Sequence, residues 1–293
     1  MDPRNYQIAA LGSFIVFGTT SLGFQISLAN AFVIVAVALL TQRLLFSSGQ
    51  EKSALISSFS LILLLRTDLV VLAAVSAFLA IASKRVLRFR GAHFFNPSAV
   101  ALVIVTILSS HAWLSPGQWG DLGLAAFAVV SAGLLVVTRA QRLDVALAFL
   151  VSFSVIVLLR GWYLGDPYSI AMHQLKNGAL LLFTFFMITD PKTTPRDRMA
   201  RICFGMLVAC VAAVMQFRFY ISSSAIYALV AMAPVVIVFN LTLKEFNHVK
   251  KIVWRHCVID VVSIQKRIGI LRFLRRQSRY RSCLLYTSPS PRD

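Results

Sequence analysis

The sequence is poor in charged residues. Only 14% of its 293 residues are Asp, Glu, Lys or Arg, against roughly 25% in a typical soluble domain. At the same time 58% are hydrophobic and the mean hydropathy is +0.77. The apolar residues stand in long blocks rather than in amphipathic stripes. This combination excludes an ordinary soluble protein and predicts an all-α, polytopic membrane protein.

Acidic residues are the scarcest charged class, with 11 Asp and Glu against 29 Lys and Arg. Half of the net charge of +18 lies from Lys244 onward, where twelve basic residues face three acidic ones. A basic segment beside a membrane span usually sets topology or contacts anionic lipid. Because no nucleic-acid-binding motif accompanies the charge, we expect membrane lipid as a partner and no nucleic acid.

Motifs of self-contained enzymes are also missing. The four cysteines show no metal-ligand spacing, so no metal site is predicted. Gly-rich phosphate loops, Ser/His/Asp arrangements and paired catalytic carboxylates are absent as recognisable motifs. We therefore do not expect a self-contained hydrolase or transferase.

The C-terminal end calls for separate treatment. We interpret the last eleven residues, CLLYTSPSPRD (283–293), as a translated sequencing adapter, and the basic segment 246–282 before it as suspect. We expect a single transmembrane domain over 1–245, with one repeat over about 1–114 and a second over about 122–243.

Ten apolar segments follow one another along this domain, and most have about the ~20 residues that a helix needs to cross the hydrocarbon core. The third and the eighth are the short ones. The predicted segments are 6–24, 26–46, 53–66, 68–87, 96–114, 122–138, 144–164, 175–190, 199–217 and 222–243.

Lys and Arg are unevenly divided between the connections. Twelve follow even-numbered segments and four follow odd-numbered ones. By the positive-inside rule, the even connections and both termini are cytoplasmic. The expected location is the bacterial inner membrane.

The two short segments match each other. The third ends in Thr67-Asp68 and the eighth in Thr189-Asp190. Five segments separate them, so equivalent elements would enter the membrane from opposite sides, as in an inverted 5+5 repeat whose paired half-helices mark a central site. The alternative is that each aspartate only caps the next turn or helix. Thr67, Asp68, Thr189 and Asp190 are candidate residues of an ion or substrate pathway.

Three further groups are candidates with structural alternatives. Asn96 opens the fifth segment and either caps it or lines the site opposite Asp190. Lys192, Arg196, Arg198 and Arg201 either set topology and contact lipid, or dock an acidic partner. Trp119 either belongs to the interfacial aromatic belt or stacks on a flavin or quinone ring.

Two motifs, FFNPSAVALV (94–103) and LLFTFFMITDPKTTP (181–195), resemble a family of membrane proteins that includes NqrB of the sodium-translocating NADH:quinone reductase and RnfD of the Rnf complex. The resemblance covers most of residues 1–245. It implies one component of a redox-driven, cation-translocating complex that works with flavin-bearing partner subunits.

One departure from that family concerns the flavin. Larger members attach FMN to a threonine in a Gly-Ala-Thr-type motif between the fifth and sixth spans. This sequence has no such motif, and its loop 109–121 holds no threonine. We therefore expect no covalent FMN, while a non-covalent flavin stays open. The loop SPGQWG instead resembles a smaller, UnbU-like branch associated with enediyne-biosynthesis clusters.

Three hypotheses remain at this point. The first is a redox-linked membrane subunit, which rests on the family motifs. The second is a channel or transporter for a small solute or ion, which rests on the predicted inverted repeat alone. The third is an anchor that recruits a partner from a biosynthetic cluster.

Overall fold

The computed structural model describes residues 3–21, 24–46, 51–115 and 123–242, with side chains from 130 onward in the last range. These residues form an α-helical protein with two very short β-ribbons. The helices are α1 (Pro3–Thr20), α2 (Leu28–Leu45), α3 (Glu51–Leu64), α4 (Val70–Val86), α5 (Pro97–Leu108), α6 (Gly123–Ala140), α7 (Leu143–Leu164), α8 (Tyr168–Leu175), α9 (Gly178–Leu182), α10 (Arg198–Arg218) and α11 (Ser224–Thr242).

A π-helix, Phe183–Met187, continues α9 directly. The strands are β1 (Leu65–Thr67), β2 (Arg88–Phe89), β3 (Ala92–His93) and β4 (Ala112–Leu114). They pair antiparallel as β1–β4 and β2–β3. Each predicted segment corresponds to one of these helices, and α8 is an additional short helix that the sequence did not indicate.

Side-chain polarity in the bundle is that of a membrane protein. Large apolar side chains such as Leu28, Phe32 and Leu44 are at least 74% exposed. Small polar residues, in contrast, are buried in α3, where Ser58 and Ser60 bond to the backbone carbonyls four residues earlier. Four helices, α2, α7, α10 and α11, are long and apolar enough to cross a bilayer, and several shorter apolar helices accompany them. The chain is an all-α polytopic membrane protein.

The same helix pairings occur in both predicted repeats. In the first half α2 packs against α4 and α1 packs against α3. In the second half α7 packs against α10, and α6 packs against α9 and the π-helix. These are the pairings expected if segments one to five correspond to segments six to ten.

The fifth segment is shorter than predicted. Helix α5 ends at Leu108, and the apolar residues Ala112–Leu114 form strand β4 instead of a further helical turn. Strand β4 pairs with β1, with Arg66 opposite Trp113. Hydropathy could not show this end because the strand residues Ala, Trp and Leu are as apolar as helix residues.

Candidate functional site

The eighth predicted segment is helical only over Gly178–Met187, and its second half is π-helical. The amide of Ile188 donates to the carbonyl of Phe183 at 3.1 Å, a spacing of five residues instead of four. Turns of this kind are rare and occur often at functional sites. The segment is therefore a half-length helix with an irregular end.

The carbonyls at this irregular end are satisfied by side chains. The hydroxyl of Thr189 donates to the carbonyl of Phe185 at 2.7 Å. The Nδ2 of Asn96 donates to the carbonyl of Met187 at 3.0 Å. Because an unpaired buried carbonyl is costly, these two donors stabilise the break.

Asn96 performs two tasks at once. Its Oδ1 accepts hydrogen bonds from the amide of Ala99 at 3.2 Å and from the hydroxyl of Ser98 at 2.8 Å, which caps α5. Its Nδ2 reaches across to the broken helix. A second amide, Gln7 of α1, donates to the carbonyl of Phe186 at 3.4 Å. The start of α5 and the end of the π-helix thus meet at one buried amide.

Asp190 follows the break and organises the next turn. Its Oδ1 accepts from the amide of Lys192 at 3.0 Å. Its backbone carbonyl accepts from the amide of Thr193 and the hydroxyl of Thr194, each at 3.1 Å. The side chain is half-buried and lines a cavity. The capping role considered from the sequence and a place on a cavity wall therefore coexist.

We call this cavity the Asp190 cavity. It has a volume of about 390 Å³ and lies between α1, α3, the start of α5, α6 and the broken helix. Its wall contains Asp190 together with the basic residues Arg4, Arg139 and Lys192. Polar wall residues are Gln7, Ser53, Ser57, Ser60, His93, Asn96, Ser98 and Gln141, and apolar ones include Ile56, Pro97, Val136 and Phe186.

Two buried basic residues lie at this cavity, His93 in its wall and Lys84 bonded to the wall residue Ser53. The Nζ of Lys84 donates to the carbonyl of Ser53 at 3.0 Å and to its hydroxyl at 3.1 Å. His93 is 8% exposed, and its burial lowers the pKa of the imidazole, an effect that the nearby Asp190 carboxylate opposes. The carboxylate is thus set among several cationic or titratable groups.

The matching break after α3 is closed differently. The guanidinium of Arg66 donates to the carbonyls of Ile62 at 2.9 Å and Leu65 at 3.0 Å. The Nδ2 of Asn30 donates to the carbonyl of Thr67 at 2.9 Å. A positive charge therefore lies at the C-terminal end of α3, where the helix dipole favours it.

Asp68 lies in different surroundings from Asp190. Its Oδ2 is 3.0 Å from the Nδ1 of His111, and both side chains are more than half exposed. The two Thr-Asp pairs that match in sequence are consequently not equivalent in environment. The structure brings Asn96, Thr189 and Asp190 together and places Thr67 and Asp68 at the other break.

A larger cavity opens at the N-terminal end of α9, and we call it the Lys176 cavity. Its volume is about 560 Å³. The polar wall residues are Ser169, His173, Gln174, Lys176, Asn177, Gln216, Ser222, Ser223 and Ser224, and the apolar ones are Phe153, Met172, Ala179, Leu180, Phe183, Ala225 and Ile226. The Asp190 and Lys176 cavities thus lie at the two ends of one half-length helix.

Two phenylalanines of the π-helix line different cavities. Phe183 lines the Lys176 cavity and Phe186, about one turn further on, lines the Asp190 cavity. The ring centroid of Phe183 lies 4.9 Å from that of Phe149, and the ring centroid of Phe186 lies 5.9 Å from that of Phe14. The π-helix therefore contributes one packed aromatic side chain to the wall of each cavity.

Comparison with known proteins finds a similar family for part of the chain. Residues 108–247, which contain the broken helix and both of its ends, match the model of the NQR2, RnfD, RnfE family. These residues are therefore similar to that family. A search of curated proteins found no match. The match supports a membrane subunit of the NQR/Rnf type that works with other subunits of a membrane complex.

The absence of covalent FMN stays a prediction, since residues 116–122 of the loop after α5 lie outside the described residues. The stretch from Ser109 to Ser115 offers no threonine hydroxyl. Thr106, the nearest threonine before it, bonds within the bundle to the carbonyl of Leu102 at 2.6 Å and to the hydroxyl of Tyr227 at 2.8 Å. Trp119, the proposed stacking residue, lies outside the described residues.

The basic run after Asp190 is not uniform in this protein. The Nε of Arg201 donates to Asp144 at 2.8 Å, and only 13% and 11% of the two side chains are exposed. The amide of Arg196 donates to the Oδ1 of Asn240 at 3.1 Å. Lys192 lines the Asp190 cavity and Arg198 opens α10 as an exposed residue.

Several residues at the two cavities were not found from the sequence. Gln7, Lys84 and His93 contribute to the surroundings of Asp190, and Gln174 and Lys176 to the other cavity. Lys84 carried a signal, since a lysine at the end of an apolar helix is expected to be paired or functional. A single Gln or His residue at the end of a helix gives no such indication in the sequence.

Proposed function

We propose that this membrane protein serves a redox-linked, cation-translocating complex of the bacterial inner membrane without carrying covalent FMN itself. The observation that carries the proposal is the half-length helix whose irregular end presents Asp190 to a cavity, inside the segment that matches the family. A carboxylate at the end of a broken helix in a membrane domain is a candidate cation ligand. Asn96 and Thr189 would hold that end in place.

The flavin part of this proposal is tested on the purified full chain. After denaturing electrophoresis, the band is expected to show no flavin fluorescence, because no threonine suited to the phosphoester link is available. An absorption spectrum before denaturation reports any flavin bound without a covalent bond. A fluorescent band after denaturation would contradict the proposal.

The cation part is tested by reconstituting the complex with its partner subunits in liposomes. Electron transfer is expected to drive uptake of Na⁺ or H⁺, and the Asp190→Asn variant is expected to uncouple the two. Uptake that is unaffected by this substitution would exclude Asp190 from the cation path.

A second function, transport of a small solute, is favoured by one specific observation. The two cavities lie at opposite ends of the same short helix, with Phe183 in the wall of one and Phe186 in the wall of the other. Such an arrangement suits a pathway closed by an apolar constriction. Solute flux into liposomes that contain only this chain, increased in Phe186→Ala, would support transport, and flux that requires the partner subunits and electron transfer would support the first proposal.

A further inference from the structure

The amides of the Lys176 cavity are oriented by their neighbours. The Oδ1 of Asn177 accepts from the amide of Ala179 at 2.8 Å, which caps α9. The Oε1 of Gln174 accepts from the Nε2 of Gln216 at 3.3 Å, and the Oε1 of Gln216 accepts from the hydroxyl of Ser224 at 3.4 Å. Asn177 and Gln174 both line the cavity, and each also carries an N–H₂ group that can donate to a ligand there.

The charged residues of the cavity wall also favour a negatively charged ligand. Lys176 is an exposed cation on the rim, between Gln174 and Asn177 in sequence. Among the described lining residues there is no Asp or Glu. A cavity wall with an ammonium group and two amides favours a hydrogen-bond acceptor with negative charge and disfavours a cation.

The floor of the cavity is apolar. Phe153, Leu180 and Phe183 line it and are themselves at most 7% exposed, so their positions are fixed by packing. The rings of Phe149 and Phe183 are in contact and brace this floor from behind. A volume of about 560 Å³ is within the range of small-molecule sites, which typically combine an apolar surface with a few placed polar groups.

We propose that the Lys176 cavity is a binding site for a small organic carboxylate. The carboxylate group binds between the Lys176 ammonium and the amide groups of Gln174 and Asn177, and the organic body packs on Phe153, Leu180 and Phe183. This site is distinct from the Asp190 cavity, and the proposal does not depend on the cation or redox function proposed above.

The test is direct binding of a simple probe to the purified full chain in mild detergent. Benzoate supplies a carboxylate and an apolar ring, and benzylammonium and benzamide are the cationic and neutral comparisons of similar size. Benzoate is expected to bind saturably, and more tightly than either comparison. Equal saturable binding of benzylammonium, or no saturable binding of benzoate, would overturn the proposal.

Two variants test whether benzoate binds in the Lys176 cavity. Lys176→Gln removes the charge at an exposed position and is expected to weaken benzoate binding by about tenfold or more, equivalent to about 1.4 kcal/mol. Asn177→Asp keeps the oxygen that caps α9 but replaces the donor with a negative charge, so it is expected to weaken benzoate binding at least as strongly.

The matched control is Arg218→Gln, which removes an exposed basic residue at the end of α10 outside the described cavity wall. It is expected to bind benzoate as the unaltered chain does. If Lys176→Gln leaves the affinity unchanged, or if Arg218→Gln reduces it equally, the carboxylate does not bind at this site. None of these results alters the flavin or cation measurements, so the two proposals fail separately.

Discussion

At the scale of single residues, Asn96 connects two elements with one amide. Asn96→Asp keeps the oxygen that caps α5 but places a second acceptor against the carbonyl of Met187. We expect it to lower the free energy of unfolding by about 1–3 kcal/mol, the cost of an unsatisfied buried group. Asn96→Ala is expected to lose about 1 kcal/mol more, since the cap is also removed.

These two variants are compared by thermal unfolding in detergent at pH 8, with the unaltered chain alongside. If Asn96→Asp is as stable as the unaltered chain, the hydrogen bond to Met187 contributes nothing. If the two variants lose the same stability, the cap contributes nothing.

Asp190 can be tested for a role beyond its turn. In Asp190→Asn the side-chain oxygen can still accept from the amide of Lys192, so the local fold is expected to survive. Membrane insertion should be normal, while activity of the assembled complex falls by about tenfold or more, the effect of losing about 1.4 kcal/mol of interaction. Asp68→Asn, at the exposed aspartate of the other break, is the control.

The comparison is made at matched expression in membranes. Full activity of Asp190→Asn would leave this residue with a structural role only, and an equal loss in both variants would show a general sensitivity to acidic-residue removal.

His93 is expected to make stability depend on pH. Burial lowers the pKa of its imidazole below the usual value near 6.5. The negative charge of Asp190 raises this pKa, and the positive charges of Lys84, Lys192 and Arg88 lower it further. The unfolded chain therefore binds the proton more readily, so stability is complete above about pH 6.5 and falls as the pH decreases through the folded-state pKa. Unfolding temperatures from pH 8 to pH 5 should show this decline, and His93→Gln should reduce it.

At the scale of elements, Gly205 of α10 lies directly against the backbone of α7. A Cβ atom there would lie 2.9 Å from the carbonyl oxygen of Val145 and 3.2 Å from the amide nitrogen of Phe149. Because both are backbone atoms, they cannot move aside easily, and Gly205→Ala is expected to destabilise the bundle by about 1–3 kcal/mol.

Gly161→Ala provides the matched control for Gly205. It is also a helical glycine, and its added Cβ would meet only Ala171 at an ordinary 3.9 Å. Thermal unfolding of both variants is the measurement. Equal stability of Gly205→Ala and Gly161→Ala would mean that the two helices can separate without cost.

Element order was predictable from the sequence, and the ends of the short helices were not. Runs of apolar residues identify the helices other than α8 because lipid requires them. The stop of α5 at Leu108 is followed by the polar residues Ser109–His111, but the apolar residues Ala112–Leu114 beyond them extended the predicted segment. The change to π-helix at Phe183 occurs inside apolar sequence, where hydropathy gives no signal. Both features depend on tertiary partners, namely β1 for the first and the amides of Asn96 and Gln7 for the second.

The candidate site was likewise predictable in part. Asp190, Thr189 and Asn96 could be named because a polar residue at the end of an apolar segment is conspicuous. Their meeting point could not, since Asn96 and Met187 are 91 residues apart in sequence. The similar Thr-Asp motif at Asp68 did not indicate that this carboxylate would contact an exposed histidine.

At the scale of the whole molecule, the uneven distribution of Lys and Arg predicts that the connection after the eighth segment is cytoplasmic. In a chain whose native cysteines are replaced by serine, Arg196→Cys is expected to react with a membrane-impermeant thiol reagent only after the cells are opened. Tyr163→Cys, at the C-terminal end of α7 and on the side predicted to face outward, should react in intact cells. The reverse pattern would invert the assigned topology.

The π-helix has a consequence for the register of everything that follows it. Its wider turn uses one residue more than an α-helical turn, and an α-helix advances each residue by about 100° around its axis. If the same residues formed a regular α-helix instead, the positions after the turn, including Asp190, would rotate by about 100° from their present direction. The carboxylate would then leave the cavity although the residue itself is unchanged. The extra residue in the π-helical turn therefore determines that the Asp190 carboxylate faces the cavity.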